Sequence, residues 1–221
     1  MNKPTNIKAI IFDCDGVLLD SELLFIENLI QYLKSKGKNA SLDEVKKYIG
    51  IPLDEIIRMI INDYNLSDNF YEIENYFNEN DSVINHHEKL KAMNGVIDFI
   101  KEAYKKGLIL AVGSSSPIDY VLTVLNQFEI KKYFSLILTI SEVPKGKPSP
   151  DIYNEIVKRL NLNKDEVIVI EDSTIGIKAA NSAGIFCIGF KGSLIMQDTS
   201  NADISVYSYK ELKKILNWEE E

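Results

Sequence analysis

The stretch AIIFDCDGVLLDSE, residues 9–22, decides the fold. It completes an apolar run over 7–12 with little alternation, the pattern of a strand covered on both faces within a parallel sheet. The run ends in two acids, Asp13 and Asp15, with Cys14 between them and Gly16 behind. In extended chain, residues i and i+2 point to one side, so this spacing aims Asp13 and Asp15 at a common site and turns Cys14 into packing. Gly16 then lets the backbone bend sharply.

The same kind of run recurs at 107–113, 134–140, 166–172 and 184–190, with a last short strand near 203–206. Helical patterns over 95–106, 117–129, 150–160, 174–183 and 208–218 separate or follow them. Strands alternating with helices make βαβ units, so the fold class is α/β: a doubly wound, mostly parallel, Rossmann-like sheet. Residues 21–91 break this rhythm and show helical periodicity only. Ser21 reads as the N-cap of the first of these helices and Gly37 as its stop, with further helices at 43–50, 53–64 and across 68–90. So long an insert cannot be a connection inside the sheet. We expect a core of residues 1–17 and 92–221 and an all-helical cap of residues 18–91, with hinges near 17–21 and 91–95.

The chain of 221 residues is 45% hydrophobic and carries a formal charge of −8, with a pI of about 5.0. It can bury a substantial core, and its acidity argues against surfaces that track nucleic acid or anionic lipid. Only Arg58 and Arg159 are arginines, so an anionic ligand must be held by lysine and backbone N–H groups. Cys14 and Cys187 lie in strand-like runs without metal-ligand spacing, which suits a reducing compartment. No targeting segment and no membrane-spanning run is evident, so the expectation is a cytoplasmic, monomeric enzyme with neither nucleic-acid nor membrane partners.

In open α/β sheets, ligands sit beyond the carboxyl ends of the strands. The residues there are Asp13 and Asp15, then Ser114 to Ser116, then Lys147, then Glu171 and Asp172. Hard carboxylate oxygens suit Mg²⁺, and Ser114 and Lys147 suit the oxygens of a phosphoryl group. Asp13 would act as the nucleophile, forming an aspartyl phosphate, while Asp15 protonates the leaving oxygen and later takes a proton from water.

FDCDGVLLDSE, the Ser114 after LILAVG, the lysine of GKPSPDIY and VIVIEDSTIGIKAA together resemble the four motifs of the haloacid dehalogenase superfamily. The likeness is specifically to its phosphatase and β-phosphoglucomutase-like branch with a helical cap. The resemblance implies that Asp13 is nucleophile and metal ligand, and that Asp15 is acid/base while offering its backbone carbonyl to the metal. It also implies that Ser114 and Lys147 hold phosphate, with Glu171 and Asp172 completing the Mg²⁺ site. Ser115, Glu22 and Gly50 are further candidates for phosphate or substrate contact. Mutases of this branch carry a His and a Trp in the first cap helix and an Arg directly after a Gly. Here that helix offers Phe25 and Asn28, and Gly50 is followed by IPLDE. The favoured reading is therefore a Mg²⁺-dependent phosphatase of a small phosphorylated metabolite, with a sugar phosphate as the expected substrate. A β-phosphoglucomutase-type mutase using Arg58, Lys46 or Lys47 stands second, and a phospho-accepting receiver-like protein third.

Simpler readings stand beside these. Ser116 before Pro117 fits a helix cap, EDS fits an N-cap for 174–183, and Lys145 fits a solvated surface. His86 and His87 are adjacent and point apart on a helix, so they make a poor metal pair.

Overall fold

The computed structural model describes residues 1, 3–48, 53–80, 90–193 and 196–218, with the side chains of Glu22 and Asn80 outside that description. One parallel sheet runs in the order β3-β2-β1-β4-β5-β6. Its strands are β1 (Ala9–Phe12), β2 (Ile109–Ser114), β3 (Phe134–Thr139), β4 (Val167–Glu171), β5 (Phe186–Phe190) and β6 (Ile204–Val206). Between β1 and β2 lie α1 (Ser21–Ser35), α2 (Leu42–Val45), α3 (Leu53–Tyr64), α4 (Phe70–Asn80) and α5 (Val96–Lys105). Then follow α6 (Ile118–Gln127), α7 (Asp151–Leu160), α8 (Thr174–Ala183) and α9 (Tyr209–Ile215).

The central strand explains why its sequence does not alternate. Ile11 pairs with Ala111 on one side and Val169 on the other, so β1 has neighbours at both edges. Ile10, Phe12 and Cys14 enter one core with α5, α6 and α9, whereas Ala9 and Ile11 enter the other with α7 and α8. Strands β1 to β3 step to one side, and the chain then crosses back to lay β4 against β1. The strand order therefore reverses between β1 and β4, where such sheets open a crevice for ligands.

Helices α1 to α4 pack around a third core that includes Ile26, Leu29, Leu33, Val45, Ile57 and Phe77. Leu24, in the first turn of α1, joins the sheet's core instead. The helix expected across 68–90 runs from Phe70 to Asn80, and residues 81–89, with His86 and His87, lie outside the described residues. The N-cap position of α1 belongs to Asp20, and Ser21 is the first helical residue. Asp20 makes no capping bond, because its Oδ1 accepts from Ser193 Oγ at 2.8 Å. The two stretches of chain leading into and out of the helical unit are tied to each other: Met93 N donates to Leu18 O (2.9 Å) and Asp20 N to Lys91 O (3.0 Å). No helix among the described residues is long and apolar enough to cross a membrane.

Candidate active site

The sheet's register assembles the site. Asp13 N donates to Ile170 O at 3.0 Å, so the β1–β4 ladder runs one residue past β1 and sets Asp13 beside the end of β4. By the period of two, Asp13 follows Ala9 and Ile11, and Glu171 follows Val167 and Val169, onto the face covered by α7 and α8. Asp13, Glu171 and Asp172 are buried and offer carboxylate oxygens within 4.8 Å of one another. Lys147, from the loop between β3 and α7, reaches the same face. Its ammonium donates to Asp13 Oδ1 (2.5 Å) and Glu171 Oε1 (2.6 Å), and its side chain is only 3% exposed.

Each member is supported from behind. Glu171 Oε1 also accepts from Tyr153 OH (2.8 Å), and Oε2 accepts from Ser173 N (3.1 Å) and Oγ (3.0 Å). Ser173 caps α8 as expected, accepting from Gly176 N at 3.1 Å, so one residue both starts the helix and fixes the glutamate. Two glycines make room for the acids. A Cβ at Gly176 would lie 1.7 Å from Glu171 Oε1, and one at Gly16 would lie 2.0 Å from Asp172 Oδ2. Gln197 Nε2 donates to Asp172 Oδ2 at 3.3 Å.

Burial pushes the Asp13 carboxyl up, to about 8, and Glu171 and Asp15 push the same way against the lowering by Lys147. Burial works against the Lys147 ammonium too, but Asp13 and Glu171 outweigh it and hold it charged above the usual lysine range. Cys14 is raised well above the thiol range by burial and the neighbouring acids, so it is an inert core residue. One ammonium among three clustered carboxylates leaves an excess of negative charge, offered through hard oxygen donors. That donor set fits a divalent cation of the Mg²⁺ type.

Asp15 takes a different path. Its Oδ2 accepts from Ser116 Oγ at 2.7 Å and its Oδ1 from Tyr120 OH, so its carboxylate is held from the α6 side of the crevice. The two acids share the strand end but not their partners, because the chain already bends at Cys14, between them. Ser116 is thus not the cap of α6; Pro117 holds that position without a side-chain bond. Ser114 is buried at the end of β2, and its Oγ accepts from Ser116 N at 3.0 Å. Ser115 is exposed. Glu22 lies in the first turn of α1, and Gly50 lies outside the described residues. Sequence reasoning missed Tyr153 and Tyr120 altogether. Tyr153 reads as one more apolar position of α7, and Tyr120 as one more helical position of α6, because nothing local marks the carboxylates they reach.

A doubly wound α/β core with a buried acid and lysine cluster at its switch point defines a class of phosphoryl-handling enzymes. Residues 10–190 match the haloacid dehalogenase-like hydrolase family, and the chain belongs to it. It is 32% identical over 179 residues, 81% of this chain and 82% of the relative, to the phosphorylated carbohydrates phosphatase of Thermotoga maritima. It is 25% identical to hexitol phosphatase B of Escherichia coli K12, covering 83% of each. Among solved structures, a candidate β-phosphoglucomutase from Thermotoga maritima superposes with a TM-score of 0.80 at 30% identity, over 96% of this chain and 99% of that one. The family assignment removes the receiver-like reading.

Proposed function

We propose that this protein is a Mg²⁺-dependent phosphatase that hydrolyses a small phosphorylated carbohydrate through an aspartyl phosphate on Asp13. The observation that carries the reading is the meeting of Asp13, Lys147, Glu171 and Asp172 at one strand-end crevice, with Asp15 held beside it. Relatives named as phosphatases of phosphorylated carbohydrates and of hexitols support the substrate class.

Asp13, Glu171, Asp172 and the Asp15 backbone carbonyl would hold the cation. When bound, the cation supplies positive charge that lets an anionic carboxylate approach an anionic phosphoryl group. Lys147 and Ser114 orient the phosphoryl oxygens, with the ammonium also keeping Asp13 in line. Asp13 attacks phosphorus, the bond to the ester oxygen breaks, and Asp15 gives that oxygen its proton. Water then attacks the aspartyl phosphate, Asp15 takes a proton from it, and inorganic phosphate leaves while Asp13 is restored. The helical unit, residues 18–91, would act as a cap that closes over substrate and opens for release, bending where residues 17–21 run beside 91–95.

A phosphomutase needs a second phosphate site on that unit. Lys46 pairs with Asp43 (2.6 Å), Lys47 pairs with Asp63 (2.7 Å), and Arg58 lies over the Phe70 ring (5.0 Å), so each of the three cations considered for it is engaged locally. The test is a panel of phosphorylated sugars and polyols with Mg²⁺, following free phosphate, and for β-glucose 1-phosphate with a bisphosphate primer also glucose 6-phosphate. Phosphate release lost in Asp13→Asn and in chelator is the expected result. Isomerisation without phosphate release would overturn it in favour of the mutase.

A further inference from the structure

We infer that Ser116 and Tyr120 are positioning residues that hold Asp15 for its work on the leaving group; the inference rests on the phosphatase reading above. Ser116 lies in the bend between β2 and α6, and Tyr120 in the first turn of α6. They engage opposite oxygens of one carboxylate, Ser116 Oγ on Oδ2 at 2.7 Å and Tyr120 OH on Oδ1. Two donors on two oxygens fix both the position and the tilt of the carboxylate, which a single bond would leave free to swing.

The local structure gives up something to make this grip. A serine before a helix ordinarily turns its oxygen back to the first-turn N–H groups, yet α6 begins without any side-chain cap, and the hydroxyl serves Asp15. Ser116 is tied in turn to the phosphoryl side of the site, because its N–H donates to Ser114 Oγ at 3.0 Å. The result is a continuous chain from Ser114 through Ser116 to Asp15 and Tyr120. The Lys147 ammonium pairs with Asp13 and Glu171 instead, so the acid that handles the proton and the acid that attacks have separate partners.

A positioning role for an acid that protonates the leaving oxygen has a signature that a merely structural role lacks. An alkyl alkoxide cannot depart without a proton, whereas p-nitrophenolate can. The experiment measures kcat/KM, which reports the steps through leaving-group departure, for wild type, Tyr120→Phe, Ser116→Ala and Ser116→Thr with Mg²⁺. One substrate is p-nitrophenyl phosphate; the other is whichever of glucose 6-phosphate, glucose 1-phosphate and glycerol phosphate the wild type cleaves fastest. In Tyr120→Phe and Ser116→Ala, the alkyl ester should lose about tenfold or more while the p-nitrophenyl ester stays within about twofold. Ser116→Thr, which keeps the hydroxyl, should restore the alkyl ester. Parallel loss on both esters, or no change on either, would overturn the inference. Wild type inert toward every ester would overturn the phosphatase reading itself, and that result is visible before any variant is made.

Discussion

Replacing Gly16 by alanine tests whether the turn after β1 and the acid after β4 are fitted to one another. Two costs arise, and they separate cleanly. The first is backbone strain: Gly16 has φ +71°, in the left-handed region, which costs an L-residue about 1–2 kcal/mol. For a chain of this size that lowers the melting temperature by roughly 2–8 °C. The second is steric. The new Cβ would stand 2.0 Å from Asp172 Oδ2 and 2.4 Å from its Cγ. A carbon–oxygen contact needs about 3.3 Å, so the carboxylate must retreat by about 1 Å or more. Misplacement on that scale costs about 10²-fold in rate. Gly107→Ala supplies the control, since Gly107 has φ +79° and a methyl there would meet nothing within 4 Å. Thermal melts should show at least the Gly107→Ala loss in Gly16→Ala, with the overlap adding to it, and turnover and apparent Mg²⁺ affinity, read by Mg²⁺-dependent phosphate release, should be lost only in Gly16→Ala. Gly16→Ala with the turnover of Gly107→Ala would refute the reasoning.

Three further outcomes follow from the cluster. Lys147→Met leaves the buried Glu171 without its cation and Asp13 without its ammonium donor, which should cost about 3–5 kcal/mol in urea unfolding without Mg²⁺ and abolish turnover; a loss below about 1 kcal/mol would count against the Lys147–Glu171 pair. Burial holds the Asp13 carboxyl at about 8 against 3.8 for a free one, so between these values the folded chain keeps a proton that the unfolded chain has released. In chelator, stability should therefore fall as pH rises through that window, with a weaker fall in Mg²⁺; melting temperatures that climb across it in chelator would contradict the burial argument. Tyr153→Phe removes one of the hydroxyl donors to Glu171 and should cost about 1–2 kcal/mol while phosphate release survives, a combination that calorimetry and a phosphate assay read together.

The sheet was legible because its signal is local. Each buried parallel strand is an apolar run of a few residues, and the runs at 7–12, 107–113, 134–140, 166–172 and 184–190 all correspond to strands. The starts of β2 and β5 fall two residues later than expected because Gly107 and Gly184 belong to the preceding turns, at φ +79° and +71°. Helices α1, α3 and α4 between β1 and β2 were legible for the same reason, through a change of period. Caps were less so: Ser21 and Ser116 have the right chemistry for capping, but Asp20 takes the first N-cap position and Asp15 draws the second hydroxyl. For Ser116 the hydroxyl is drawn off by an acceptor 101 residues away in the chain, which no local pattern reveals.

The sequence by itself determined that four strand ends carry acids, a serine and a lysine, and that Asp13 and Asp15 close the first of them. Strand periodicity and the rule that parallel sheets bind ligands at their carboxyl ends suffice for that. The division between those two acids was decided only by tertiary structure. Strand β4 crosses back to lie against β1 and brings Glu171 to Asp13, the loop before α7 brings Lys147, and the bend at Cys14 hands Asp15 to Ser116 and Tyr120, 101 and 105 residues away in the chain. Carboxylates one residue apart in sequence look alike; which of them meets an ammonium and which meets two hydroxyls depends on packing that no local pattern encodes.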